Sequence, residues 1–531
     1  MAVALTEIGG NRIFAHPPDR LSYDRSGANY HVEGLDLATD RRQRVIYGLD
    51  DRPPLLRSLV LAAQHVLTMF GATVSVPLLF GPAMGMQPDQ IGVLISSVML
   101  CSGVATMIQS SFGSRLPIIQ GVSFSFIAAF FAIIGTIGER GGDANEMMQY
   151  IAGAVMVGAV VEMIVGFSGL MGYLRRLLSP VVVGPVIMLI GLALFQHGAP
   201  KAGADWLISG LTILLVIVFS LVLARRYRVF QLFPILLSIV CVVTLCWGLS
   251  LTGVYRLGDP SYVDTSAAQN AAWLRVNPTE IVLPWGPPRF ETGFILAVLA
   301  GYLASMIESF GDYHACAHMA GGTDPSPRQI SRGIGCEGVG CFITSLLGGF
   351  SSTSYSENIG LVGLTKVGSR YVVQWGALML ILLGFFGKFG ALAAAIPGPV
   401  VGGLYCTLFG LISAVGIQQL AKCDLQSDRN LFIAGFSLFM GLSVPAYFSA
   451  VSSTELIGPG KLLAFDGYKP TADMLLASVP QSLAGIIVSV GSTGMAVAAA
   501  IGLVLDNLIP GTLQQRGLSD EAQRIKDRRD A

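Results

Sequence analysis

The chain has 531 residues, of which 53% are hydrophobic and only 12% charged, with 64 glycines and a formal net charge of zero. Soluble domains carry about 25% charged residues, so this composition excludes a soluble enzyme. Apolar stretches near the roughly 20 residues needed to cross a bilayer recur throughout, so the chain reads as an all-α polytopic membrane protein. No basic tail or basic-aromatic patch points to nucleic acid. The eight cysteines are scattered without a C-x-x-C pair and read as small packing residues rather than metal or redox groups.

Residues 1–53 are polar and form an irregular cytoplasmic tail with no cleavable signal peptide, which leaves the first apolar run as the first membrane segment. That run, about Leu55 to Phe80, carries Gln64 and His65 near its middle. A second span covers about Asp89 to Phe112. The third is short, is introduced by Pro117-Ile-Ile-Gln120-Gly121-Val-Ser123-Phe124, and ends near Gly138. Spans four to seven follow at about Met147–Leu170, Leu178–Gln196, Trp206–Ala224 and Phe230–Leu251. The connection from Thr252 to Phe290 is rich in proline and glycine and aperiodic, which predicts an extracellular surface loop. Seven further segments follow at about Thr292–Met319, Gln329–Leu347, Ser352–Lys366, Tyr371–Ile396, Val400–Leu420, Asn430–Ala450 and Gln481–Ile509, and then a charged tail.

The halves repeat a pattern. In each, the third span is abnormally short and broken by serine, glycine and a polar side chain, Gln120 in one and Glu357 in the other. In each, the first span carries polar groups at mid-membrane: Gln64 and His65, then Glu308 and Asp312. Paired broken segments at matching positions mark a transporter binding site near the bilayer midplane, and backbone without helical bonds survives there only in protein or beside water. Because seven is odd, the expectation is fourteen spans as 7+7 inverted repeats. Charge sets the orientation. With the amino terminus inside, the inner loops hold Arg115, Arg175, Arg176, Arg225, Arg226, Arg228, Arg328, Arg332, Lys366, Arg370, Lys422 and Arg429, against Arg140 and Lys201 outside. That asymmetry puts both termini in the cytoplasm.

Four acids stand in apolar surroundings, and intramembrane carboxylates mark functional sites by default. Glu308 and Asp312 are four apart and share one helical face; with Glu357 they form a cluster that cannot be fully ionised cheaply in low dielectric, as proton coupling requires. Glu337 either braces the broken segment through hydrogen bonds to its backbone or sits idle near a helix end. The His314-x-x-x-His318 spacing reads as interfacial polar residues rather than a metal pair, and Lys388 as a snorkelling or packing residue. No nucleophile–base set and no H-E-x-x-H motif is present, so neither catalytic nor metal-ligating residues are assigned.

The run Glu357-Asn358-Ile-Gly360-Leu-Val-Gly-Leu-Thr365-Lys366 meets the signature of the nucleobase/ascorbate transporters, the nucleobase:cation symporter-2 or xanthine/uracil permease family. The Gln64-His65 pair, the Gln120-Gly-Val-Ser-Phe124 run and the Glu308-to-Tyr313 run also resemble family motifs. The resemblance implies a core domain (54–174 and 291–397) and a gate domain (175–251 and 398–510). It also implies short strands in segments 3 and 10, a homodimer in the bilayer, and an elevator-like movement. By position, Glu308 and Glu357 would hydrogen-bond the base, with Gln120 and backbone of Ser123, Phe124 and Asn358 helping and Phe124 packing on the ring. Glu337, Asn358, Gln64, His65 and Thr365 would support the site.

The resulting expectation is a nucleobase symporter with no organic cofactor, moving uracil, xanthine or a related base. The coupling ion is a proton through Glu308 and Asp312, while Asp312 also keeps sodium open. Ascorbate transport and anion exchange on the same architecture are the rivals; a carboxylate at position 357 would repel an anion.

Overall fold

The computed structural model describes residues 45–172, 177–193, 195–322, 324–452, 490–491 and 493–518. The first 44 residues, Arg175 and Arg176, the start of the predicted last span and the charged tail beyond 518 lie outside the described residues. Among the described residues, eight helices are long and apolar enough to cross a membrane.

The amino-terminal half contains α1 (Leu55–Ala83), α2 (Pro88–Ser111), strand β1 (Gln120–Val122), α3 (Ile127–Glu139) and α4 (Ala144–Ser168). It continues with α5 (Pro180–Ala193), α6 (Phe195–Gly203), α7 (Trp206–Ile217) and α8 (Pro234–Leu251). The carboxy-terminal half contains α9 (Thr292–Met319), α10 (Pro327–Leu346), strand β2 (Ser352–Ser354), α11 (Ser356–Thr365), α12 (Arg370–Phe385) and α13 (Gly387–Ala394). It ends with α14 (Gly398–Leu420), α15 (Asp428–Ser452) and α16 (Gly494–Leu508). Local chemistry sets several starts. Pro88 and Pro327 occupy first-turn positions, where proline loses no helical bond, and the Asp143 and Ser326 side chains accept from Glu146 and Gln329 N–H groups.

The two broken segments meet. β1 and β2 pair antiparallel with Gln120 opposite Ser354, Gly121 opposite Thr353 and Val122 opposite Ser352. Pairing runs one residue further at each end, Tyr355 N–H to Ile119 O at 3.0 Å and Ser123 N–H to Ser351 O at 3.0 Å. Each strand leads at once into a helical start, a single turn at Phe124–Phe126 before α3 and the start of α11. Both strands are fully buried, so backbone that forgoes helical bonds is satisfied by its opposite number.

Two expectations need correcting. The 252–290 connection is not simply a surface loop. Its Arg275 is 4% exposed and bonds Gly384 O, Ser97 Oγ and Glu280 O. Its Trp285 indole donates to Gly348 O, and Leu283 N–H to Leu346 O. The predicted eleventh span is also not continuous: it breaks at Phe386 between α12 and α13. There Arg275 N–H takes Phe385 O and Gly387 N–H takes Trp273 O, so the loop backbone captures groups that an unbroken helix would use itself. Lys388, at the start of α13, donates to Ala268 O and Gln269 O of the same loop.

The end of the amino-terminal tail is ordered as well. Ile46 N–H donates to Lys366 O, Gly368 N–H to Tyr47 O, and Arg370 binds Asp50 at 2.7 Å, fastening the segment before α1 to the end of α11.

Candidate functional site

The site is built around the ladder. On α9 the i, i+4 spacing puts Ser305, Ser309 and Tyr313 on one face and Glu308 and Asp312 on the next. The hydroxyl face meets Glu337 of α10, which is 1% exposed and accepts from Ser309 Oγ at 2.7 Å, Tyr313 Oη at 2.8 Å and Ser305 Oγ at 3.5 Å. Ser309 Oγ also lies 3.0 Å from Thr353 Oγ1 and 2.7 Å from Ser354 Oγ. Glu337 therefore reaches β2 through side-chain hydroxyls, not through its backbone.

The acid face opens the other way. Glu308 is half-buried and accepts from Ser125 Oγ at 3.4 Å, in the turn that starts the third segment. Asp312 accepts from Ser356 Oγ at 2.8 Å while its second oxygen has no partner. Glu357 is exposed in the first turn of α11, on a stripe with Ser356, Gly360 and Leu364. Glu308 lies within electrostatic reach of Asp312, Glu337 and Glu357, and Asp312 within reach of Glu337 and Glu357. Among the described residues none of the four forms an ion pair with a basic side chain.

Of the other residues singled out, Gln120 starts β1; its N–H donates to Thr106 Oγ1 and its fully buried side-chain amide has no partner. Ser123 caps the Phe124–Phe126 turn by accepting from Ser125 N–H, and Phe124 is partly buried against the core. Asn358 is fully buried and donates to His65, joining α11 to α1. Gln64 is next to His65 but has a buried oxygen without a partner. Thr365 is not brought to the site: its hydroxyl bonds Leu361 O at the far end of α11. His314 and His318 face different partners, Phe310 O and Asp324.

Sequence reasoning missed Tyr355, whose hydroxyl donates to Val122 O at 3.0 Å and accepts from Thr73, and whose ring covers Gly121. It also missed Ser309, the hydroxyl at the centre of the network, and Glu162 of α4. A lone carboxylate inside an apolar span was the available signal for Glu162.

A polytopic bundle whose two interrupted segments pair at their breaks, with acids gathered at the half-helix starts, defines a membrane transporter. The chain belongs to the nucleobase/ascorbate transporter family. A family description reading "Permease family" matches residues 56–450. The chain is 36% identical over 540 residues to Solute carrier family 23 member 1 of Rattus norvegicus, covering 93% of this chain and 85% of that protein. It is 33% identical over 513 residues to Nucleobase-ascorbate transporter 12 of Arabidopsis thaliana, covering 90% and 72%. Among solved structures, the transmembrane domain of a cyanobacterium bicarbonate transporter, BicA, superposes with a TM-score of 0.51 at 14% identity. That match covers 73% of this chain and 95% of BicA and is a likeness of fold.

Proposed function

We propose that this transporter is a secondary-active symporter importing a nucleobase, uracil or a purine such as xanthine or urate, together with a proton. One observation carries the reading: Glu308 of α9 and Glu357 of α11, both from the carboxy-terminal half, lie within electrostatic reach of each other beside the β1–β2 ladder, to which the amino-terminal half contributes β1, and neither is fully buried. A lactam base offers adjacent N–H donors and C=O acceptors. Carboxylates suit the former and half-helix N–H groups the latter. In this reading Glu308 and Glu357 bind the base, Gln120 and the backbone of Ser123, Phe124 and Asn358 complete its hydrogen bonds, and Phe124 packs on its ring. Glu337, Asn358, Gln64 and His65 are support, while Thr365 only closes the far end of α11.

Glu308 is the group whose charge couples base to proton, with Asp312 beside it. A carboxylate on the exposed stripe of α11 would be costly against lipid, so that stripe lines a watered cleft between a core domain (54–174, 291–397) and a gate domain (175–251, 398–510). The core moves against the gate as an elevator, in a homodimer with both termini cytoplasmic. The antiparallel register of β1 and β2 supports fourteen spans in inverted halves.

A second reading rests on Asp312. Its unpartnered oxygen beside the Ser356 hydroxyl offers hard ligands for sodium, which would also offset the charge of an anionic substrate such as ascorbate next to Glu357. Uptake of labelled uracil, xanthine, urate and ascorbate, with and without an uncoupler and with and without sodium, separates the two. Glu308→Gln should keep some base binding and lose pH-driven accumulation; accumulation unchanged at every external pH removes Glu308 from its role.

A further inference from the structure

Glu162 stands in the second half of α4, fully buried, and neither of its carboxylate oxygens meets an N–H or O–H donor, the weak Cys341 thiol being its one neighbouring donor. It is on the face that α4 presses against α10. A Cβ on Gly166 would fall 2.2 Å from Gly335 N, and one on Gly338 would fall 2.8 Å from both Ala159 O and Met163 N. The two backbones thus touch on either side of Glu162, and its side chain has nowhere to go but between the helices.

The titratable groups facing Glu162 are Glu337 and Cys341 of α10 and Tyr302 and Tyr313 of α9. Those facing Glu337 are Tyr313, Cys341, Glu162 and, beyond the hydroxyl network, Glu308 and Asp312. Neither set contains a lysine, arginine or histidine. Two anions in a dry helix interface without a counter-charge are costly, and such pairs settle by keeping one proton between them. The hydrogen bonds say where it sits. Glu337 accepts from three hydroxyls, which suits a carboxylate, while Glu162 meets no hydroxyl or N–H and only the weak Cys341 thiol donor, which suits a neutral carboxyl.

We propose that Glu162 and Glu337 form a carboxyl–carboxylate pair that binds one exchangeable proton, a second acid site beneath the β1–β2 ladder and apart from Glu308. Only an O–H bond changes in the step: Glu162 releases its proton to water or to Glu337 and takes one back. With the proton gone, two like charges face each other, and the strain falls on Ser309, which joins Glu337 to Thr353 and Ser354 of β2. Occupancy by the proton would therefore set how firmly β2 is held, making Glu162 a positioning residue for the transport site. This consequence rests on the symport reading; the proton itself does not.

The experiment uses the full chain, purified and returned to lipid. Infrared difference spectra across a pH titration, in H₂O and D₂O, should show a protonated-carboxyl C=O band that is absent in Glu162→Gln and present in Glu308→Gln. A band untouched by Glu162→Gln overturns the site, whether or not any base is transported. In uptake assays Glu162→Gln, a permanent mimic of the neutral acid, should keep its KM for the substrate while holding its rate severalfold above wild type at alkaline pH. A pH profile identical to wild type overturns the link to β2.

Discussion

The side-chain amide of Asn358 donates to both the carbonyl oxygen of His65, at 2.9 Å, and its ring Nδ1, at 3.2 Å. Both residues are almost completely buried, and the pair ties the first turn of α11 to the middle of α1. Asn358→Asp replaces a donor with an acceptor facing two acceptors. Leaving such groups unmet costs about 1–3 kcal/mol. Uptake should fall at least tenfold with surface abundance largely kept, and Asn358→Gln should recover less than half of the loss.

Gly121 has no room for a methyl group, because a Cβ there would lie 2.5 Å from Cζ of Tyr355. Gly121→Ala should push the Tyr355 ring aside and break its bond to Val122 O. The expected outcome is reduced uptake at normal abundance, partly restored by Tyr355→Leu in the same chain, read as a double-mutant cycle.

Ser309 serves three acceptors or partners at once. Ser309→Ala strips a buried carboxylate of one donor and should lower stability by about 1–3 kcal/mol. A thermal-shift measurement on purified protein checks this, and a melting temperature equal to wild type would remove Ser309 from the centre of the network.

Asp205 caps α7 and holds the 252–290 loop through Tyr255 and Ser261. Burial works to raise its carboxyl, yet the Ser261 hydroxyl, the Ile208 N–H, the Tyr255 hydroxyl and the Leu207 N–H together keep it below the usual aspartate range. A group depressed in the folded state contributes stability above its unfolded pKa and loses it as pH falls through the folded one. Asp205→Asn should therefore melt earlier than wild type at neutral pH, with the gap closing only in strong acid, below the ordinary aspartate value.

Lys366 ends α11 in the left-handed region, with φ near 58°. A side chain there costs about 1 kcal/mol that glycine does not. Lys366→Gly should leave folding intact or slightly improve it, while Lys366→Val, β-branched, should lower the melting temperature.

Much of the centre was legible in the chain. The Gly/Ser/Thr run ahead of Glu357 and its shorter counterpart at Gln120 could not be ordinary spans, and they form the paired breaks. Glu308 and Asp312 share a face because four residues make about one turn. The loop strap was not legible, since Arg275 and Trp285 sit in an aperiodic stretch whose contacts lie 60 to more than 100 residues away. Nor was the break at Phe386, which arises from loop backbone capturing helix groups and not from a proline. Tyr355 and Ser309 look like any polar residue near a break until the partner strand is in place.

The three-rung ladder is made of main chain, so no side-chain substitution on either strand can simply unplug it. It also yokes the two interrupted segments together. Neither half-helix start can shift without dragging the other along, so the amino- and carboxy-terminal halves are coupled at their breaks before any side chain is counted.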